Sequence, residues 1–149
     1  MKKMLAALFF ALAVFAAHSQ SAEKITEIIE SGEISNEQGA WIACQFSQDV
    51  ADGASYSDAM TKATEKGWFP SGEVASNPIT LQNLCGLCVK ACGLKCGLLY
   101  RLTKANRYAF KELKANGILD SAADPSMTVT GQNALSILNA CVKKAGGSK

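Results

Sequence analysis

The chain has 149 residues, of which 48% are hydrophobic and 19% are charged, and its formal net charge at pH 7 is +2. This length suits a single domain. So balanced a charge is untypical of proteins that bind nucleic acid, and we expect no nucleic-acid partner.

The N-terminus has the composition of a signal peptide. A short basic stretch is followed by an apolar run over residues 5–17 and by a small-x-small pattern at residues 17–19. This run is too short to cross a bilayer, which takes about 20 residues. We therefore predict a cleaved signal peptide over residues 1–19, an exported protein of the periplasm or cell envelope, and a mature domain over residues 20–149 without a transmembrane span. Cleavage would remove the only histidine, His18, and leave 13 basic and 13 acidic residues.

The mature chain repeats itself at an offset of about 50 residues. Six identities fall in this frame: Ala59 with Ala109, Gly67 with Gly117, Ser71 with Ser121, Ser76 with Ser126, Thr80 with Thr130 and Asn83 with Asn133. Apolar positions match in the same frame without a gap. We predict helix-loop-helix repeats over about residues 24–50, 55–95 and 104–146.

The first unit is the shortest. Its first helix is predicted over residues 25–31 with a cap at Gly32, and Ser35 then begins a second helix that runs to about Val50. Serine at this position suits a helix N-cap, and Ile34 before it can pack against the first turn.

The second and third units share a longer loop. Their first helices are predicted over residues 55–66 and 104–116, each ended by a glycine in a left-handed conformation. Their second helices are predicted over residues 81–94 and 131–145, with threonine as the N-cap.

The chain has six cysteines, and four of them lie close together over residues 85–96: Cys44, Cys85, Cys88, Cys92, Cys96 and Cys141. On one continuous helix, those at 85–96 would form a stripe about 16 Å long, too long for one metal centre unless the helix breaks at Gly93 or Gly97. We expect no metal and no cofactor. An even cysteine count in an exported chain favours disulfides, and we predict at least one bridge from Cys44 or Cys141 to this run.

Two alternatives to disulfides stay open for these cysteines. Buried cysteines can also remain free thiols that pack as small apolar side chains. A periplasmic thiol–disulfide protein acting through Cys85 and Cys88 is the alternative function, although such a motif usually begins a helix that follows a strand.

Charge is distributed unevenly along the chain. Residues 23–73 contain ten acidic residues and three lysines, whereas residues 90–114 contain seven basic residues and one acidic residue. A helix over residues 101–114 would have an apolar face made by Leu102, Ala105, Ala109, Phe110 and Leu113. Its opposite face would carry four cations within about 80° of one another. We predict a partner-binding surface made by Lys104, Arg107, Lys111 and Lys114 together with Arg101; the alternative is a face that is merely solvated.

The repeat resembles the S-layer homology repeat of exported bacterial proteins, most clearly over residues 107–142. The shared pattern is a helix ending in glycine and two apolar residues, a loop, and an Ile-Thr pair that begins a second helix. The resemblance implies three repeats packed as one pseudo-threefold domain, with the second helices in a central bundle, that attaches proteins to cell-wall polymers. Where that family has an arginine after the threonine, this chain has Asn36, Leu81 and Gly131.

Together these patterns predict an all-α, non-catalytic envelope protein. No triad, no Cys–His pair and no glycine-rich phosphate loop is present in the mature sequence. The expected role is that of a structural or binding module whose partner is an anionic envelope polymer or another envelope protein.

Overall fold

The computed structural model describes residues 20–70 and 72–147, so the predicted signal peptide lies outside the described residues. Within these residues the chain forms seven helices and no strand, apart from two isolated β-bridges. The helices are α1 (20–30), α2 (Asn36–Phe46), α3 (Tyr56–Glu65), α4 (Leu81–Ala91), α5 (Leu98–Thr103), α6 (Asn106–Ala115) and α7 (Gly131–Gly146). The all-α prediction is confirmed for this part of the chain.

The predicted N-caps begin α2, α4 and α7. The side-chain oxygens of Ser35, Thr80 and Thr130 each accept a hydrogen bond from the backbone N–H three residues later. Ser35 and Gln38 form a reciprocal capping box. These bonds satisfy N–H groups that the first turn of a helix leaves without a partner.

The predicted glycine caps end α3 and α6. Gly67 and Gly117 have φ angles of +66° and +71°, and the residue after each donates its N–H back into the helix. Glycine adopts this left-handed conformation without steric cost. Gly32, the predicted cap of the first unit, does not adopt it; α1 ends with the Ser31 N–H bonded to the Ile28 carbonyl at 3.1 Å.

Backbone hydrogen bonds tie the starts of α2, α4 and α7 to the segment that precedes another of the three helices. These bonds run from the Asn36 N–H to the Asn77 carbonyl at 2.9 Å, from Leu81 to Met127 at 2.7 Å, and from Gly131 to Ser31 at 3.1 Å. The bonds thus lead from α2 to the segment before α4, from α4 to the segment before α7, and from α7 to the segment before α2.

The core lies where α2, α4 and α7 contact one another. Trp41, Trp68 and Phe69 are buried in it. Residues of α4 and α7 that match at the 50-residue offset are not equally buried: Cys85, Leu87, Cys88 and Leu138 are buried, whereas Leu135 and Ile137 are half-buried.

The segment between α4 and α6 differs from its prediction. The helix α4 ends at Ala91, Cys92 caps it, and Gly93 turns the chain away with φ +61°. Cys96 therefore lies outside the helix, and the four cysteines over residues 85–96 do not form one helical stripe. A separate helix, α5, follows, and the predicted helix over 101–114 is divided between α5 and α6. Leu102 is exposed on α5 instead of contributing to the apolar face of α6.

Replacing Leu138 by alanine should lower the free energy of unfolding by about 2 kcal/mol. The side chain is buried, but it borders a surface cleft that Ile25, Ile28 and Trp41 also line. Relaxation of this cleft should keep the cost at the low end of the range for a lost core leucine. Chemical denaturation measures the change, and a loss within 0.5 kcal/mol of zero would contradict the burial.

Candidate functional site

Four cations converge on a groove between α4, α6 and the turn after α3. The groove has a volume of about 770 Å³ and is lined by Lys90, Lys104, Arg107 and Lys111. Phe69 and Phe110 supply apolar wall between the charges. In the described part of the chain, none of these four cations forms a salt bridge with a carboxylate.

A buried asparagine positions the start of α6 against α4. The Asn106 side-chain N–H donates to Asn83 Oδ1 at 3.1 Å. Gly86 makes this approach possible, because a Cβ atom there would lie 2.0 Å from Asn106 Oδ1. The glycine between Cys85 and Leu87 is therefore explained by the close packing of two helices.

The same asparagine holds Lys90 in the groove. Lys90 Nζ donates to Asn106 Oδ1 at 3.1 Å and to the Trp68 carbonyl at 3.1 Å. Partial burial, followed by the nearby charge of Lys104, lowers the pKa of Lys90. Its direct partners are thus neutral oxygens, and its charge is left to act on a ligand.

The polar chain continues from Asn83 into the first unit. Asn83 Nδ2 donates to Glu73 Oε1 at 2.9 Å, and Asn36 Nδ2 donates to Glu73 Oε2 at 3.3 Å. The buried Asn36 Oδ1 has no hydrogen-bond partner. Glu73 therefore binds two buried amides, and a chain of three hydrogen bonds through Asn83 and Asn106 connects it to the lysine in the groove.

Aromatic rings lie under the groove cations. Lys104 Nζ lies 5.4 Å from the centre of the Tyr100 ring, and Arg107 and Lys111 lie 5.5 and 5.8 Å from that of Tyr108. Cation–π contacts at such distances restrain exposed side chains weakly and leave their donors free to bind a ligand.

The structure brings together only part of the predicted basic surface. Lys104, Arg107 and Lys111 line the groove, whereas Arg101 is exposed on α5. Lys114 Nζ donates to the Ala123 carbonyl at 2.9 Å and does not line the groove.

Lys90 is the groove residue that the sequence reasoning missed. It belongs to the same run of seven basic residues over 90–114. The charge run was therefore a signal for it, but its place on α4 hid its proximity to α6.

All six cysteines are free thiols in the structure, so none of the predicted bridges is formed there. Cys44 lies apart, with its sulfur 3.6 Å from the Ala59 carbonyl oxygen. The negative charge that Cys141 would carry as a thiolate contributes to raising the pKa of Cys85, Cys88, Cys92 and Cys96. Cys141 therefore lies among these four, and the bridge from Cys44 or Cys141 to this run stays a prediction.

Burial is the main reason why most of these thiols resist ionisation. It is the largest cause that raises the pKa of Cys44 and Cys96 to about 11 and that of Cys92 to about 12. Interaction with Cys141, followed by burial, raises the pKa of Cys88. Thiols that resist ionisation make poor nucleophiles, and Cys85 and Cys88 both lie in the core.

Across residues 20–70 and 72–147, no three His, Cys, Asp or Glu side chains are grouped so that they could hold a metal ion. No helix in the same residues combines the length and the apolar character needed to cross a membrane.

The chain matches no protein-family model, no curated protein and no solved structure.

Proposed function

We propose that this chain is a non-catalytic, exported protein of the periplasm or cell envelope that binds an anionic envelope polymer in the groove between α4 and α6. The observation that carries the proposal is the convergence of four cations, without salt-bridged carboxylates, on a groove with aromatic walls. Anionic sugars offer carboxylate or phosphate groups to such cations and apolar ring faces to aromatic side chains.

We also propose that the three helix-loop-helix units pack as one pseudo-threefold domain, similar to that of the S-layer homology family. The cyclic hydrogen bonds at the starts of α2, α4 and α7 support this packing. The helix pairs add support, because α3 packs on α2, α6 packs on α4, and the Ile28 carbonyl of α1 contacts Gly131 of α7.

The proposed binding chemistry differs from that of the family. The three positions at which the family has arginine hold Asn36, Leu81 and Gly131, and all three are buried. These residues offer no exposed cation to a polymer. The cations of the proposed site come instead from α6, the residues before it and the last turn of α4.

Reversing two groove charges, with Arg107→Glu and Lys111→Glu, should weaken polymer binding by at least about tenfold. Both residues are exposed, so the variant should melt at the same temperature as the unmodified protein. Binding is measured with the anionic polysaccharide fraction of the envelope, and neutral dextran serves as the reference ligand. Binding should also weaken as salt rises, because screening acts within about 8 Å at physiological ionic strength.

The matched control carries the same charge change away from the groove, with Lys62→Glu and Lys143→Glu. Lys62 is on α3 and Lys143 is on the last turn of α7, so this variant should bind as the unmodified protein does. Equal losses in the two variants would show that only net charge matters. If the groove variant bound the polysaccharide as strongly as the unmodified protein does, the proposed binding site would be wrong.

A further inference from the structure

The helix α5 belongs to none of the three helix-loop-helix units, and it exposes three leucines next to one another. Leu98, Leu99 and Leu102 are 67%, 58% and 73% exposed. At 100° per residue they lie within about 100° of one another on one face of the helix. Tyr100 lies on the opposite side and is 5% exposed.

The buried side of α5 holds this leucine face outward. Tyr100 and Cys96 insert into the core, and α5 packs against α6. The Lys104 N–H ends the helix by donating to the Tyr100 carbonyl at 2.7 Å, with Lys104 in the left-handed conformation at φ +54°. The outward face is therefore set by packing and by a defined helix end.

The charged residues within α5 and in the chain on either side of it are all basic. Lys95 and Arg101 are exposed beside them, and the sequence has no acidic residue from 90 to 111. The next acidic residue, Glu112, accepts hydrogen bonds from the Gly97 N–H at 3.3 Å and from Asn116 Nδ2 at 3.4 Å. An exposed apolar cluster surrounded by cations matches an anionic lipid surface, which offers an apolar layer beneath phosphate groups.

We propose that α5 docks on an anionic phospholipid leaflet, with Leu98, Leu99 and Leu102 inserted at the boundary between headgroups and acyl chains. Lys95 and Arg101 contact the lipid phosphates. A helix of six residues cannot span a bilayer, so the contact is peripheral and reversible. This surface is separate from the polymer groove, and neither proposal requires the other.

Co-sedimentation with vesicles tests the proposal on the protein purified from the envelope. Vesicles of equal parts phosphatidylglycerol and phosphatidylcholine should bind the protein at least about tenfold more strongly than vesicles of phosphatidylcholine alone. Leu98→Gln, Leu99→Gln and Leu102→Gln together should reduce that binding by at least about tenfold. Glutamine preserves helix propensity, so the melting temperature should not change.

Two further variants test separately how cations and exposed apolar side chains contribute to vesicle binding. Lys95→Gln with Arg101→Gln should abolish the preference for anionic vesicles. Val74→Gln with Met127→Gln removes exposed apolar side chains elsewhere on the surface and should leave vesicle binding unchanged.

Vesicle binding by the leucine variant equal to that of the unmodified protein would overturn the proposal. The proposal would also be wrong if the leucine variant lost self-association on analytical ultracentrifugation but still bound vesicles, because the leucines would then contact a second copy of the chain. The leucine variant should still bind the envelope polysaccharide. If the unmodified protein did not bind that polysaccharide, the groove proposal would be wrong, whereas the lipid-docking proposal would be unaffected.

Discussion

Replacing Gly131 by alanine should lower the free energy of unfolding by about 3 kcal/mol or more. Gly131 is the first residue of α7, and a Cβ atom there would lie 1.6 Å from the carbonyl oxygen of Ile28 and 2.5 Å from its carbonyl carbon. These are backbone atoms of α1, so no side-chain rotation can relieve the overlap. The helix α1 must move away from α7, and the fully buried Ile28 side chain moves with it.

Gly146→Ala on the same helix is the matched control. Nothing lies within 4 Å of a Cβ atom built at Gly146. Because alanine has the higher helix propensity, this change should leave stability equal or slightly raised, by less than about 1 kcal/mol. Denaturant unfolding of both variants provides the comparison. A Gly131→Ala protein as stable as the Gly146→Ala protein would show that α1 does not pack on α7 as described.

The helix-loop-helix pattern could be predicted because its signals are local. Thr80 and Thr130 cap helices through bonds to residues three positions away, and Gly67 and Gly117 end helices through their own φ angles. Such features depend on a few neighbouring residues, which the sequence displays directly. The repeat then reinforced each signal, because the same residue types recur 50 positions later.

The region between α4 and α6 could not be predicted in the same way. Cysteines at 85, 88, 92 and 96 follow helical spacing, which favours one long helix, whereas Gly93 ends it in a left-handed conformation. A glycine within a helical pattern is compatible with either outcome, and tertiary packing decides between them. Here Tyr100 and Cys96 are buried against the core, which requires the chain to turn before α5.

The groove was predictable in part for a related reason. A helical projection correctly groups Arg107 and Lys111, because both lie on α6. It cannot place Lys90, which reaches the groove only because Gly86 and Asn106 allow α4 and α6 to approach closely. It also cannot show that Lys114 is bonded to the carbonyl of Ala123 on the loop that follows α6. Contacts between elements thus decide which members of a charge run share a site.

The reduced protein should lose about 4 kcal/mol of stability between pH 7 and pH 10. Burial raises the pKa of Cys44 and Cys96 from the ordinary value of 9.0 to about 11, and it raises that of Cys85 further. The unfolded chain therefore releases these protons near pH 9, whereas the folded chain retains them. Each buried thiol makes its full contribution to the free energy of unfolding below pH 9. This contribution is lost as pH rises, by about 1.4 kcal/mol per thiol at pH 10.

Other titrating groups also affect the size of this loss. The pKa of Lys90 is lowered by burial and by Lys104, so its neutralisation at high pH stabilises the fold and opposes the thiols. Interaction raises the pKa of Cys88 and lowers that of Cys141, so the pair contributes two opposing changes. Burial also raises the pKa of Cys92 to about 12, so this thiol adds to the loss and opposes the contribution of Lys90. The net change should therefore remain a loss.

Urea unfolding at several pH values between 7 and 10, with a reducing agent present, measures the loss. Cys44→Ala should reduce the slope of unfolding free energy against pH by about a third, whatever it does to stability at pH 7. Ile28→Val is the control, because it removes a buried methylene of α1 and should lower stability by about 1 kcal/mol at every pH. A slope unchanged by Cys44→Ala would show that this thiol is not buried in the folded protein. Under oxidising conditions, a bridge from Cys141 to Cys85, Cys88, Cys92 or Cys96 would remove a thiol whose pKa is raised in the folded protein. The oxidised protein should then have a shallower slope than the reduced one, and equal slopes would count against such a bridge.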